Sequence, residues 1–206
     1  MKEKSFIITE NTESINALKT MKVFIDTLEE DLYSWKWIII VAHNCLQNFM
    51  VSSLRNGNNM KILEKKSTKD WHNEFIKRMK TKIEDWESPR EKLDLFLNIY
   101  KKIKSNKMLI SKKLEADKKK DEAIEWLIMH RNQFIHFVPS TFLIHVIDFP
   151  KRMILIMEII KFLVSESNNI IWLNNRDKIL AEKLINELIE NFEKLDQNYA
   201  LEAKTT

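Results

Sequence analysis

At 206 residues the chain is sized for one domain, with room for at most a small appendage. One glycine and three prolines, where average usage gives about 14 and about 10, exclude the Gly-rich turns of β-sandwiches and barrels and the phosphate loops of P-loop and dinucleotide folds, and leave a helical protein. A formal net charge of +4, with 44% hydrophobic and 31% charged residues, is globular and mildly basic; it points only weakly to an anionic partner, because lysine outnumbers arginine 28 to 6 and Asn and Ile are abundant, a composition typical of AT-rich genomes.

A first helix is expected from a cap at Asn11 or Thr12 to about Glu30, with Ile15, Leu18, Ile25 and Leu28 at helical spacing. A longer one covers about Asp31–Arg55. Its stripe is Leu32, Trp35, Ile39, Ala42, Leu46, Phe49 and Ser53, thickened by Trp37, Ile38, Ile40 and Val41, so most of its sides should be buried. Asn56–Gly57 is a stop signal. After a loop over 58–66, Ser67–Asp70 can start a third helix carrying Trp71, Phe75, Ile76, Met79 and Ile83, which ends at Trp86–Ser88. Ser88-Pro89-Arg90-Glu91 has the form of a capping box with Pro in the first turn and predicts a helix with Leu93, Phe96, Leu97, Tyr100 and Ile103.

Lys104–Lys120 holds seven lysines and two acids and reads as helix continuation or solvated linker. A helix over about Asp121–Phe137 is broken by Pro139. Thr141–Ile147 is an extended connector or stray strand, Pro150 opens a helix to about Ser165, and a final amphipathic helix runs over about Asn175–Asn198 on Ile179, Leu184, Leu188, Ile189, Phe192 and Leu195. The tail to Thr206 is expected to fray. No repeat or domain boundary interrupts the pattern.

The lone cysteine, Cys45, cannot form an intrachain disulfide and fits a reducing, cytoplasmic setting. The N-terminal MKEKSFIITE lacks the apolar core of a signal peptide. The longest apolar stretches, Trp37–Ala42 and Met153–Val164, are short for a bilayer span, and the second contains Glu158 and Lys161. No membrane partner is expected. No His, Asp or Glu cluster has metal-ligand spacing, so no metal and no cofactor is expected; His72 with Glu74, and His145 with Asp148, read as incidental pairs.

The chemistry concentrates in His130-Arg131-Asn132-Gln133-Phe134-Ile135-His136-Phe137. Asn132 and His136 are one turn apart on one side of a helix. Arg131 stands about 140° around from His136, so the two converge only where the helix end loosens near Pro139. Arginine binds phosphate oxygens with a fixed fork and a permanent charge. Histidine moves a proton near neutral pH. On spacing alone, the same residues could simply cap the end of the helix. His43, Asn44 and Gln47 form a polar strip in an apolar helix. They read either as hydrogen-bonded groups fixing helix register or as support for Arg131 and His136. Residues 61–82 carry eight Lys/Arg against three acids; with 104–120 they form either a solvated face or a track for RNA phosphates.

Arg131-Asn132-x-x-x-His136 near the end of an apolar helix resembles the signature of the HEPN superfamily. Trp35-Lys36-Trp37, Ala42–Val51 and Arg131–Pro139 are similar to a group of bacterial HEPN proteins, over about residues 30–195. The resemblance implies an all-α, HEPN-like helical bundle: an up-and-down core of four to five helices with additional helices, in one domain over 1–206 with short terminal extensions. It implies a metal-independent endoribonuclease of a bacterial defence or toxin–antitoxin system. The ribose 2′-hydroxyl would attack, with His136 as acid or base, Arg131 stabilising the phosphorane and Asn132 orienting the group. RNA is then the substrate, a homodimer the expected assembly, and an antitoxin or other defence-system protein a possible further partner. The alternative is a HEPN module without catalysis that binds RNA or protein.

Overall fold

The computed structural model describes residues 5–6, 8–55, 57–80, 88–136, 141 and 143–205. The fold is all-α: α1 (Glu10–Asp26), α2 (Ser34–Leu54), α3 (Lys65–Lys80), α4 (Phe96–Ile103), α5 (Lys118–Ile135), α6 (Phe149–Lys161), continued by a π-helical turn at Phe162–Glu166, and α7 (Asn175–Thr205). Among the described residues no strand forms. One isolated antiparallel bridge joins Leu63 to Leu93.

The bundle is organised around α2, which touches α1, α4, α5, α6 and the π-turn. The cause is its composition: Trp35, Ile38, Ile39, Ala42, Cys45, Leu46, Phe49, Met50 and Leu54 are all withdrawn from water. Among the described helices it is the one long and apolar enough to cross a membrane, and 61% of that stretch is buried inside the protein. Leu32, assigned to the same stripe by spacing, lies before the helix and stays exposed. Trp35 is fixed on three sides, edge-on to Phe149 at 5.4 Å, stacked on Phe192 at 6.1 Å, and donating from Nε1 to the Tyr199 hydroxyl at 3.1 Å. Those contacts tie α2 to α6 and α7 with polar and apolar parts of one side chain. The Cys45 thiol is fully enclosed, and burial raises its pKa.

Helix ends explain where the expected boundaries move. α1 is capped by Thr9 rather than Asn11 or Thr12. The Thr9 hydroxyl accepts from Thr12 N–H while Thr12 Oγ1 accepts from Thr9 N–H, a reciprocal box made by two threonines. α2 stops at Leu54, and Gly57 follows with φ +75°, a conformation that suits Gly. α6 begins with Pro150 in its first turn, as the sequence predicts. α7 extends to Thr205 instead of fraying after Asn198.

The expected helix start at Ser88–Glu91 is not realised. Residues 88–95 are irregular apart from the bridge at Leu93; the Lys92 carbonyl accepts from Glu64 N–H and Asp94 N–H donates to the Ile62 carbonyl. α4 starts only at Phe96. There Asp94 accepts from Leu95 N–H at 2.9 Å and Asn98 Nδ2 at 2.7 Å and pairs with Lys102 at 2.7 Å. An extended pairing partner outcompeted the local capping signal. Ile83 and Trp86 lie outside the described residues.

α3 packs on no other described helix. It is held at its N-terminal end, where Ser67 Oγ accepts from Lys92 N–H and the Thr68 hydroxyl donates to Glu64 and Met60 carbonyls. Phe75, Ile76 and Met79, expected in a core, are therefore exposed. The lysine-rich stretch from 104 is a linker of turns and irregular chain, anchored by buried Leu109 and Leu114, and α5 begins at an Asp117 cap.

Candidate functional site

α5 carries the Arg131–His136 segment and packs between α2 and α6. Its inner face is Ala123, Ile124 and Leu127. Trp126, His130 and Phe134 follow one another at i, i+4 and i+8 as an aromatic ladder against Phe149. His130 Nδ1 lies 3.0 Å from the Trp126 carbonyl, which can only accept, so Nδ1 carries the hydrogen. Burial lowers the His130 pKa, and the Trp126 carbonyl opposes that more weakly. His130 is thus a neutral packing group. Its 126/130/134 spacing is legible in the sequence, but the spacing alone does not distinguish it from ordinary core.

The ladder turns Arg131 toward α2. Arg131 is half-buried, and its Nη1 donates to Asn132 Oδ1 at 3.0 Å. Its Nε is enclosed without a hydrogen-bond partner. Among the described residues no carboxylate neutralises it. Asn132 is exposed, and its carbonyl accepts the His136 N–H at 2.8 Å, the bond that closes α5. His136 itself has left helical geometry (φ −100°, ψ 62°) and is exposed. The helix therefore ends one residue before His136, and the imidazole is freed from the rigid 140° separation that an intact helix would impose.

His43 faces this group from α2. It is 6% exposed and stacks on Phe96 of α4, ring centroids 4.3 Å apart. Burial, and then the Arg131 charge, push its pKa down to about 4, with Asn44 acting weakly the other way. His43 is neutral at physiological pH, so it cannot be the proton donor of the site. It presents an uncharged ring and an unpartnered, buried Nδ1 beside a permanent cation. Asn44 points outward and Gln47 is half-buried. The structure thus brings Arg131, Asn132 and His43 into one electrostatic unit, leaves His136 exposed at the end of α5, and gives the Gln47 side chain no hydrogen bond among the described residues. Phe96, the group His43 leans on, was invisible as a site residue because it is distant in sequence and looks like ordinary core.

The chemistry available is anion binding by a guanidinium that retains free donors, next to an exposed imidazole. Among the described residues no group of three His, Cys, Asp or Glu side chains could hold a metal ion. In comparisons with family models, curated proteins and solved structures, the chain matches none.

Proposed function

We propose that the protein is a metal-independent endoribonuclease of HEPN type, acting in the cytoplasm in a bacterial defence or toxin–antitoxin setting. One observation carries this reading: Arg131, braced by Asn132 and without a carboxylate partner among the described residues, precedes by five residues an exposed His136 at an open helix end. A guanidinium with unused donors is matched to a phosphodiester, and an exposed imidazole to proton transfer.

In the reaction, the RNA supplies its own nucleophile. His136 takes the proton of the 2′-hydroxyl as the O2′–P bond forms. Arg131 holds the charge that develops on the phosphorane. The P–O5′ bond then breaks, leaving a 2′,3′-cyclic phosphate and a 5′-hydroxyl once the departing oxygen is protonated. Attack and departure each gain from a proton-transfer group, and one His136 supplies one. A two-fold homodimer across α5 supplies the second without further sequence. Met129 and Ile135 are exposed beside Asn132 and His136 and offer apolar surface for that contact.

The second reading, a HEPN module that binds RNA or a protein partner without cleaving, is favoured by the enclosure of the Arg131 Nε. The two are separated by incubating purified protein with mixed cellular RNA in EDTA, beside His136→Ala. Cleavage with cyclic-phosphate ends, reduced about 10²-fold or more in the variant, is expected. Complete loss in EDTA with rescue by Mg²⁺, or undiminished cleavage by His136→Ala, overturns the proposal; RNA binding without cleavage supports the second reading.

A further inference from the structure

A cavity of about 740 Å³ lies between α3 and α4, on elements that carry neither Arg131 nor His136. That size is typical of small-ligand sites. Its walls come from two lysine-bearing helices. On α3, Lys65, Lys69 and His72 recur at i, i+4 and i+7, so one helical face lines the opening. On α4, Asn98, Lys101 and Lys102 recur at i, i+3 and i+4 and line the opposite side. Stretches some thirty residues apart in sequence thus aim their cations at one space.

The cations divide into two sets. Lys102 is committed to Asp94 at 2.7 Å, and Lys61 donates to the Met108 carbonyl at 2.7 Å, so both brace the wall. Lys65, Lys69 and Lys101 are exposed, and among the described residues no carboxylate pairs with them. Asp94 is the single acid on the lining and is already neutralised by Lys102. Elsewhere this surface does pair its lysines, as with Lys92–Glu64 at 2.9 Å. Among the described residues, then, nothing cancels the local positive field of the cleft.

Between the two cationic faces the wall is apolar: Met60, Leu63 and Met108. An inorganic anion would use the lysines and leave that wall bare. A ligand that joins a phosphate to a flat apolar ring uses both, since thioethers and leucine pack well on aromatic faces. We propose that this cleft binds a nucleoside phosphate, its base on Met60, Leu63 and Met108 and its phosphate on Lys65, Lys69 and Lys101. The proposal goes beyond the cleavage reading and does not rest on it.

The nucleotide could be free or a unit of a single strand, and the test separates these. The full chain is titrated with ATP, with pyrophosphate, and with a short labelled 2′-O-methyl RNA that cannot be cleaved. Lys69→Glu and Lys101→Glu are compared with Lys183→Glu, an exposed site on α7 with the same charge change, and thermal melting checks that all fold. Both cleft variants are expected to lose about tenfold or more in affinity, with a shallower dependence on salt, by about one unit of slope per lysine. Lys183→Glu should bind like wild type. Saturable ATP binding, tighter than pyrophosphate and lost in part by Met108→Ala, identifies a free nucleotide. RNA binding alone, with the same lysine dependence, identifies a strand. The proposal is overturned if neither ATP nor the RNA binds, if the cleft variants bind like Lys183→Glu, or if pyrophosphate binds as tightly as ATP. A failed cleavage assay would leave each of these results intact, because none requires turnover.

Discussion

His43 couples the candidate site to pH. An unfolded His43 titrates near its ordinary value of 6.5, and the folded one near 4. Between those values the unfolded chain binds a proton that the native state refuses, so stability rises with pH across this window. The contribution is fully present above the unfolded pKa and is lost as pH falls through the folded one. It is on the order of 3 kcal/mol. His130 is shifted the same way by burial and adds to the slope. Urea unfolding measured from pH 7 to pH 4 should show a steep fall, flattened in His43→Phe, which keeps the stack on Phe96 and removes the titration. An unchanged slope in that variant would show that His43 is not the group responsible. Arg131→Lys tests the neighbouring residue: a lysine cannot donate to Asn132 and a phosphate in the same planar geometry. RNA cleavage should drop about 10²-fold while exposed His136 and the secondary structure, followed by circular dichroism, stay as they are.

At the level of single helices, the caps carry local and separable stabilities. Thr9 satisfies one orphan donor of α1 and, through Thr12, has its own N–H satisfied. Thr9→Ala should cost about 1 kcal/mol in denaturant unfolding, and a change near zero would show the box to be unimportant. Asp94 does more, because it serves Leu95, Asn98 and Lys102 together. Burial alone would raise its pKa; Lys102, Asn98 and the Leu95 N–H outweigh that and hold it below the usual carboxylate value. Asp94→Ala should destabilise by about 1–3 kcal/mol and loosen one wall of the lysine-lined cleft. Among the described residues, no helix packs against Phe75, Ile76 and Met79 of α3. Helicity in α3 comes mainly from amphipathic composition and its tether near Leu63.

For the molecule as a whole, α2 concentrates the cohesion. Phe49→Ala should cost about 3–5 kcal/mol, because the ring is fully enclosed and lies beside Trp172. Local stability should be graded accordingly. Amide exchange is expected to be slowest along α2 and fastest along α3; protection of α3 equal to that of α2 would mean that a further contact covers it. Assembly belongs to this scale too. A homodimer through α5 should be detected by light scattering at assay concentration, and substitution of Ile135 by Lys should dissociate it and abolish cleavage together. A fully active monomer would remove the shared site from the proposed mechanism.

The primary sequence by itself determined the class of the fold, because one glycine and three prolines leave the chain little but helix, and the apolar stripes of α1, α2, α6 and α7 are long enough to be unambiguous. It also marked Arg131, Asn132 and His136 by chemical type and spacing, and His43 as a polar intruder in an apolar helix. It misplaced what depends on competition between local and distant partners. Ser88–Glu91 has the letters of a helix start, but Leu93 found Leu63 and stayed extended. Phe75 and Met79 have the periodicity of a core face, but among the described residues no helix meets them. Only the tertiary structure decided that His43 is buried, beside Arg131, and is therefore neutral, and that Lys65 and Lys69 share a cleft with Lys101. Both follow from distances between helices, which charge counts and periodicity do not contain: a pKa and a binding field are set by what burial removes and what a neighbour adds, and the neighbours come from elsewhere in the chain.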